Sequence, residues 1–139
     1  MEKVFEVIEH TADIGIAVYG ANLKQIFSNA ALGLLSLITE IDDIGDGLQR
    51  DLDLSAYDED NLLVEWLNEL IYIFDVEHIV FKRFEIDTLT ANHLKVRCFG
   101  EKIDFSRHSL KHEVKAATYH MLNISRDSSG YKAQVIFDI

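Results

Sequence analysis

Apolar positions recur at steps of three and four residues in two segments, and this spacing predicts two amphipathic helices. The first helix follows Asn22, a helix N-cap residue with Gln25 as its capping-box partner, and it ends near Ile38. The second follows three acidic residues at 58–60, whose charges favour a helix N-terminus. Its apolar band is wider, so we expect it to be the more buried helix, with Trp66 as a core anchor rather than a ligand platform.

Alternating apolar and polar residues predict strands in most of the remaining chain. The segments concerned are 4–9, 14–20, 48–54, 79–87, 93–100, 114–125 and 131–139. Segment 114–125 also fits a helix, but its alternation favours a strand. Turn-forming residues separate the strands at 10–13, 90–92 and 127–130. This order predicts an α+β fold in one domain, residues 1–139, with two layers: two main helices packed on a mixed or mostly antiparallel β-sheet.

Composition narrows the functional classes. The chain of 139 residues has 24 acidic and 13 basic residues, a formal charge of −11, which disfavours tight binding to nucleic acid. The acidic surface suits either a basic protein partner or simple solubility. No apolar run approaches the roughly 20 residues of a membrane span, and the first residues do not resemble a signal peptide, so we expect a cytoplasmic protein.

The sequence contains no recognisable catalytic or nucleotide-binding motif. The single cysteine, Cys98, excludes an internal disulfide and a cysteine-only metal cage, and its place in an apolar strand predicts a core residue. Neither a glycine-rich phosphate loop nor a nucleophile elbow occurs in the sequence. We therefore expect a protein that is not itself an enzyme.

Carboxylates at the two ends of the chain form one candidate site. Asp138 lies beside the terminal carboxylate of Ile139, at the end of an apolar strand that we expect to be packed in place, and Asp13 lies at a predicted turn. If the strands carrying them meet, their oxygens would suit a hard cation, calcium rather than zinc. The alternative is that Asp13 forms an Asx turn and Asp138 is solvated.

Histidines and one lysine form the other candidates. Three histidines, His108, His112 and His120, fall within thirteen residues, but without the short spacing of a zinc motif. His120 would share a strand face with Leu122, so a hydrogen-bonded core or interface histidine is the favoured interpretation. Lys115, alone in an apolar strand, suits either contact with a partner's phosphate or carboxylate or a solvated surface position.

Four segments, in the same order, resemble the archease family. They are His-Thr-Ala-Asp at 10–13, the helix Asn-Leu-Leu-Val-Glu-Trp-Leu-Asn-Glu-Leu at 61–70, Val-Lys-Ala-Ala-Thr-Tyr-His at 114–120, and Val-Ile-Phe-Asp-Ile at 135–139. The resemblance spans almost the whole chain. One departure is that many relatives have glycine after the Tyr-His pair, where this chain has Met121. This substitution leaves the local turn geometry open.

The resemblance implies a protein cofactor of the GTP-dependent tRNA-splicing ligase. Archeases promote guanylylation of the active-site histidine of that ligase, allow repeated turnover and can broaden nucleotide use. The family's calcium site would fall on Asp13, Asp138 and Ile139, and its lysine on Lys115. The expected partner is then the ligase catalytic subunit, with no high-affinity nucleic-acid binding and no membrane. The alternative is a chaperone-like or calcium-binding module without a dedicated ligase role.

Overall fold

The elements were identified in a computed structural model that describes residues 4–9 and 13–139. In chain order they are β1 (Phe5–Glu9), β2 (Asp13–Gly20), α1 (Leu23–Ile38), a short 3-10 helix (Ile41–Asp43), β3 (Leu48–Ser55), α2 (Glu59–Glu77), β4 (Ile79–Leu89), β5 (His93–Lys102), β6 (Ala116–Asp127) and β7 (Gly130–Asp138). Both predicted helices and the predicted strands are present, and segment 114–125 is mainly strand. Apart from Asp13, the predicted turn at 10–13 lies outside the described residues.

Side-chain caps fix the starts of both helices. Asn22 Oδ1 accepts a hydrogen bond from the Gln25 amide (3.0 Å), and Gln25 Oε1 accepts one from the Ala21 amide (2.7 Å). The predicted reciprocal cap is therefore present, although Gln25 bonds the residue before the N-cap. At the start of α2, Asp58 Oδ1 accepts from the Asn61 amide (2.9 Å), and the hydrogen bonds from Asn61 lower the pKa of the Asp58 carboxyl.

The strands form two antiparallel sheets. One has the order β1-β2-β7-β6 and the other β3-β5-β4, and each described pairing is antiparallel. Helix α1 contacts β2 and β4, and α2 contacts β6 and all three strands of the smaller sheet. The predicted class, two helices packed on antiparallel strands, is confirmed. Among residues 4–9 and 13–139, β3, β4 and β5 pair with one another and not with the strands of the larger sheet, so the predicted sheet is divided into two.

Trp66 is the anchor of the core between the helices. It is fully buried, its Nε1 donates to the Phe27 carbonyl (2.9 Å), and its ring meets Phe84 edge to face, with ring centroids 5.4 Å apart. The hydrogen bond satisfies the indole N–H, which would otherwise be costly to bury. The predicted core role of Trp66 is confirmed. Within residues 4–9 and 13–139, neither helix is long and apolar enough to cross a membrane.

Cys98 is also a core residue, and its titration gives a pH-dependent stability. Burial raises the pKa of the thiol from an ordinary 9.0 to about 12. Only the unfolded chain then releases this proton between those values, so stability is full below pH 9.0 and falls as pH rises towards 12. We expect the Cys98→Ala variant to lose less stability over this range, by about 1.4 kcal/mol per pH unit. Urea unfolding at several alkaline pH values measures it, and parallel profiles would contradict it.

His108 ties the irregular segment after β5 to the rest of the domain. Its buried ring accepts a hydrogen bond from the Asp104 amide at Nδ1 (3.0 Å), and its Nε2 lies 3.2 Å from the Asp43 carbonyl oxygen. Because Nδ1 accepts, Nε2 carries the ring proton and donates to that carbonyl. His108 therefore holds the connection to β6 against the 3-10 helix, which is a structural role.

Candidate cation site at the ends of strands β2 and β7

Asp13 and Asp138 face each other across two neighbouring strands. They are the end pair of the antiparallel β2–β7 register, and Ala116 of β6 is the partner of Asp138 on its other side. Residues directly opposite in such a register project to the same face, with Cβ atoms about 5 Å apart. The strand that carries Asp13 and the last strand therefore meet, as the cation hypothesis requires.

One carboxylate oxygen at this position has no partner. Asp13 Oδ1 is buried and, among the described residues, receives no hydrogen bond. Such an oxygen costs about 1–3 kcal/mol unless a donor or a cation compensates for it. The opposing Asp138 is exposed and adds a second negative charge. A bound cation would satisfy the buried oxygen and reduce the repulsion between the two carboxylates.

Lys115 lies beside this pair, because its backbone is hydrogen-bonded to that of Asp138. Its amide donates to the Asp138 carbonyl oxygen (2.8 Å), while its side chain is exposed and, within the described part of the chain, forms no ion pair. The ammonium group is thus free to meet a partner near the two carboxylates. Ile139, next to Asp138, is half-buried against the core, and its role as a ligand remains a prediction.

The donor set has oxygen chemistry only. In the described residues, no cluster of three or more His, Cys, Asp or Glu side chains is placed to hold a metal ion. A cation would therefore need backbone carbonyls, water or the terminal carboxylate in addition to Asp13 and Asp138. Such ligands fit calcium, which takes about six to eight oxygens, and do not fit zinc, which prefers nitrogen or sulfur. His108, His112 and His120 do not form such a cluster in the described residues, and His120 is exposed, so the core position favoured for it from the sequence is wrong.

Asn68 of α2 holds the edge of β6 near the candidate site, a role that the sequence did not indicate. Its Oδ1 accepts from the Ala117 amide (2.8 Å), and its Nδ2 donates to the Ala117 carbonyl oxygen (3.4 Å). These bonds pair the free edge of β6, two residues beyond Lys115, with the helix. The only local signal is a polar residue inside a broad apolar helix band, which does not reveal its partner.

A bulge interrupts β6 just beyond these residues. The pairing with β7 shifts between Thr118 and Asn123, and Met121 adopts φ 54°, in the left-handed region. Thr118 Oγ1 accepts from the His120 amide (3.3 Å), and Gln134 Nε2 donates to the Met121 carbonyl oxygen (3.5 Å). The turn geometry that the sequence left open is thus a conformation that glycine adopts freely and methionine does not.

This conformation gives a stability prediction. A side chain in the left-handed region costs about 1–2 kcal/mol, so Met121→Gly is expected to increase the free energy of unfolding by about 1 kcal/mol after the entropic cost of glycine. Urea denaturation followed by circular dichroism measures the change. A variant clearly less stable than the original chain would show that contacts of the methionine side chain outweigh the backbone strain.

Comparison with known proteins identifies the family of this chain. The profile of the Archease protein family (MTH1598/TM1083) matches residues 5–139. This chain belongs to the archease family. A Protein archease of Methanosarcina barkeri is 37% identical over 141 aligned residues, which cover 99% of this chain and 97% of that protein. A Protein archease of Saccharolobus islandicus is 40% identical over 141 residues and covers 99% of both chains.

Solved archease structures share the fold. The solution structure of protein 1598 from Methanobacterium thermoautotrophicum is 35% identical and superposes with a TM-score of 0.81, covering 98% of this chain and 99% of that one. A crystal structure from Thermotoga maritima, described as an archease and possible chaperone, has a TM-score of 0.69 at 24% identity, covering 100% and 98%. At 24% identity, the similarity to the Thermotoga maritima structure shows a shared fold and nothing more.

Proposed function

We propose that this archease activates the GTP-dependent tRNA-splicing RNA ligase, promoting guanylylation of the ligase and multiple turnover. Asp13 and Asp138, with the terminal carboxylate of Ile139, would hold a divalent cation, calcium. The observation that carries the proposal is the direct pairing of Asp13 with Asp138, together with the unpartnered buried oxygen Asp13 Oδ1. That arrangement places two carboxylates together at the ends of β2 and β7, where a bound cation would compensate for their negative charge.

The charge of the protein supports a protein partner. A ligase that handles RNA and GTP needs a basic site, and a domain of charge −11 complements such a surface. When bound, a divalent cation would supply concentrated positive charge beside the carboxylates. The residues of this chain would orient the site: Asn68 holds the edge of β6, and Thr118 Oγ1 donates to the Ile136 carbonyl oxygen (2.9 Å) across to β7.

A turnover assay tests the proposal. Substoichiometric ligase is mixed with excess RNA ends, GTP and divalent cation, with and without this protein. We expect several ligations per ligase molecule only in its presence. An unrelated acidic protein of similar size and charge serves as the control. Equal stimulation by that control would favour a chaperone-like module and overturn the dedicated ligase role.

Lys115 gives a separate prediction for the partner side of the site. Lys115→Ala is expected to reduce ligase activation several-fold but to leave calcium affinity nearly unchanged, because an ammonium group cannot coordinate a cation. Lys115→Arg need not restore activity, since guanidinium differs from ammonium in shape and hydration. The measurements are turnover and calorimetric calcium titration on the same preparations. Full activation by the alanine variant would assign Lys115 to the solvated surface.

A further inference from the structure

The β6 bulge carries two large exposed apolar side chains. Tyr119 is 56% exposed and Met121 62% exposed, and His120 between them is exposed as well. We refer to these three residues, together with the acidic residues 58–60 at the start of α2, as the bulge surface. Exposed apolar surface rimmed by polar residues commonly marks an interaction site, and Tyr119 and Met121 expose two large apolar side chains within three residues of β6.

We infer that the bulge surface is a docking site for a basic segment of a partner protein, with the Met121 side chain inserted into an apolar pocket of that partner. The inference rests on the proposed function, so the partner is the ligase itself. It adds a surface through which this chain would contact the ligase, separate from the carboxylates proposed to hold the cation. Methionine suits such a role because its flexible thioether chain adapts to irregular pockets.

The backbone conformation argues that Met121 is kept for its side chain. A methionine at φ 54° is strained, and glycine would relieve that strain. The surrounding hydrogen bonds from Gln134 and to Thr118 hold the strained conformation in place. Strain of this kind is found preferentially at ligand clamps and functional sites, and β-bulges often re-aim a side chain there.

Tyr119 links the apolar and acidic parts of the surface. Its hydroxyl donates to Asn61 Oδ1 (2.6 Å), and Asn61 Nδ2 donates to Asp58 Oδ1 (2.8 Å). The ring is therefore held beside the first turn of α2 before any partner arrives. A fixed aromatic side chain contributes contact area at a low entropic cost on binding.

The acidic part of the surface is not neutralised within the domain. Among the described residues, no lysine, arginine or histidine forms an ion pair with Asp58, Glu59 or Asp60. Burial, followed by the charges of Asp60 and Asp58, raises the pKa of the Glu59 carboxyl. A basic segment would relieve this repulsion. A second copy of this chain, also carrying −11, would increase it.

Position along β6 connects the surface to the cation site. Ala116 is the strand partner of Asp138, and Met121 lies five residues beyond Ala116. Met121 and Ala116 are therefore at most roughly 17 Å apart along the strand. A single partner can therefore cover both. Docking through the bulge surface would bring Asp138 and Lys115 to the same partner face.

Three substitutions of Met121 separate the side chain from the backbone. Met121→Leu keeps an apolar side chain of similar volume. Met121→Ser removes the apolar side chain but keeps the backbone strain, and Met121→Gly removes both the side chain and the strain. We expect the serine and glycine variants to raise the archease concentration for half-maximal ligase activation at least about tenfold, the effect of losing an interface hot spot. The leucine variant should stay close to the original chain. Met121→Gly should bind more weakly although its urea midpoint is higher.

The matched control is Val76→Ser. Val76 is 58% exposed on α2 but lies near its far end, so loss of a similarly exposed apolar side chain there should leave activation unchanged. At saturating concentration, the Met121 variants should reach the original maximum, whereas loss of an Asp138 carboxylate should lower the maximum itself. Increasing salt should weaken binding of the original chain, as expected for a basic partner.

Calorimetric titration of archease into the ligase, run beside the turnover assay, keeps the two proposals apart. Equal affinity of the original chain and the Met121→Gly variant would overturn the docking inference while leaving ligase activation intact. Ligase binding that depends on Met121 without any activation would instead overturn the proposed function. A failure of the original chain to bind, or concentration-dependent self-association that Met121→Gly abolishes, would also overturn the docking inference.

Discussion

Replacing Asp13 or Asp138 with asparagine is expected to weaken calcium binding at least about tenfold, or about 1.4 kcal/mol. Asparagine keeps the size of the side chain and one oxygen donor but removes the negative charge. Calcium affinity depends on the number of charged ligands, and this site offers only two acidic side chains among the described residues. Calorimetric titration of each variant gives the affinity, and ligase activation should fall in parallel.

The controls for this experiment separate binding from folding. Without calcium, Asp13→Asn should unfold at no lower urea concentration, because the repulsion between opposing carboxylates is gone. Asp87→Asn removes an exposed carboxylate from β4, in the other sheet, and should leave calcium affinity unchanged. Calcium affinity equal to that of the original chain in both Asp13 and Asp138 variants would eliminate this cation site.

Gly100→Ala is expected to have the largest effect on stability, a loss of about 3 kcal/mol or more. A methyl group on Gly100 would lie 2.0 Å from the Val80 carbonyl oxygen and 2.6 Å from Phe81 Cα. Both are backbone atoms of β4, so neither can rotate away as a side-chain end could. The variant must separate β4 from β5 where the smaller sheet packs against the helices, and dense interiors absorb little such movement.

Gly47→Ala is the matched control, because no atom lies within 4 Å of the added methyl group. It should be neutral or stabilising by about 0.4–1 kcal/mol through the unfolded chain. Urea denaturation of both variants measures the difference, and the Cys98 thiol gives a second signal. Cys98, adjacent to Gly100 on the same face of β5, should react with a thiol reagent faster only in the Gly100 variant. Equal stabilities of the two variants would contradict the close-approach argument.

Local structure was predictable because its determinants are local. Caps at Asn22 and Asp58 and the helical spacing of apolar residues lie within a few residues of the elements they define. The division of the strands into two sheets was not predictable, since it depends on which distant strands pair. The bulge at Met121 was left open for another reason: the left-handed conformation is usually marked by glycine, and this chain has methionine there.

The candidate site shows the same limit. The sequence indicated which residue types could hold a hard cation, on the condition that two distant strands meet. It did not specify the register that places Asp13 opposite Asp138, because register depends on the pairing of β2 with β7. The role of Asn68 could not be predicted, because its partner is the backbone of Ala117, 49 residues away. Every residue has such backbone groups, so the sequence does not indicate which of them Asn68 contacts.

The most direct test of the central claim is multiple-turnover ligation with the original chain and with Asp138→Asn, each at saturating concentration and with calcium. We expect the original chain to support repeated ligation, and we expect a maximal rate at least about tenfold lower with the variant, although it is folded and still bound to the ligase. Removal of calcium by a chelator should lower the rate of the original chain towards that of the variant. Equal maximal rates for the two proteins would show that the Asp138 carboxylate does not contribute to ligase activation.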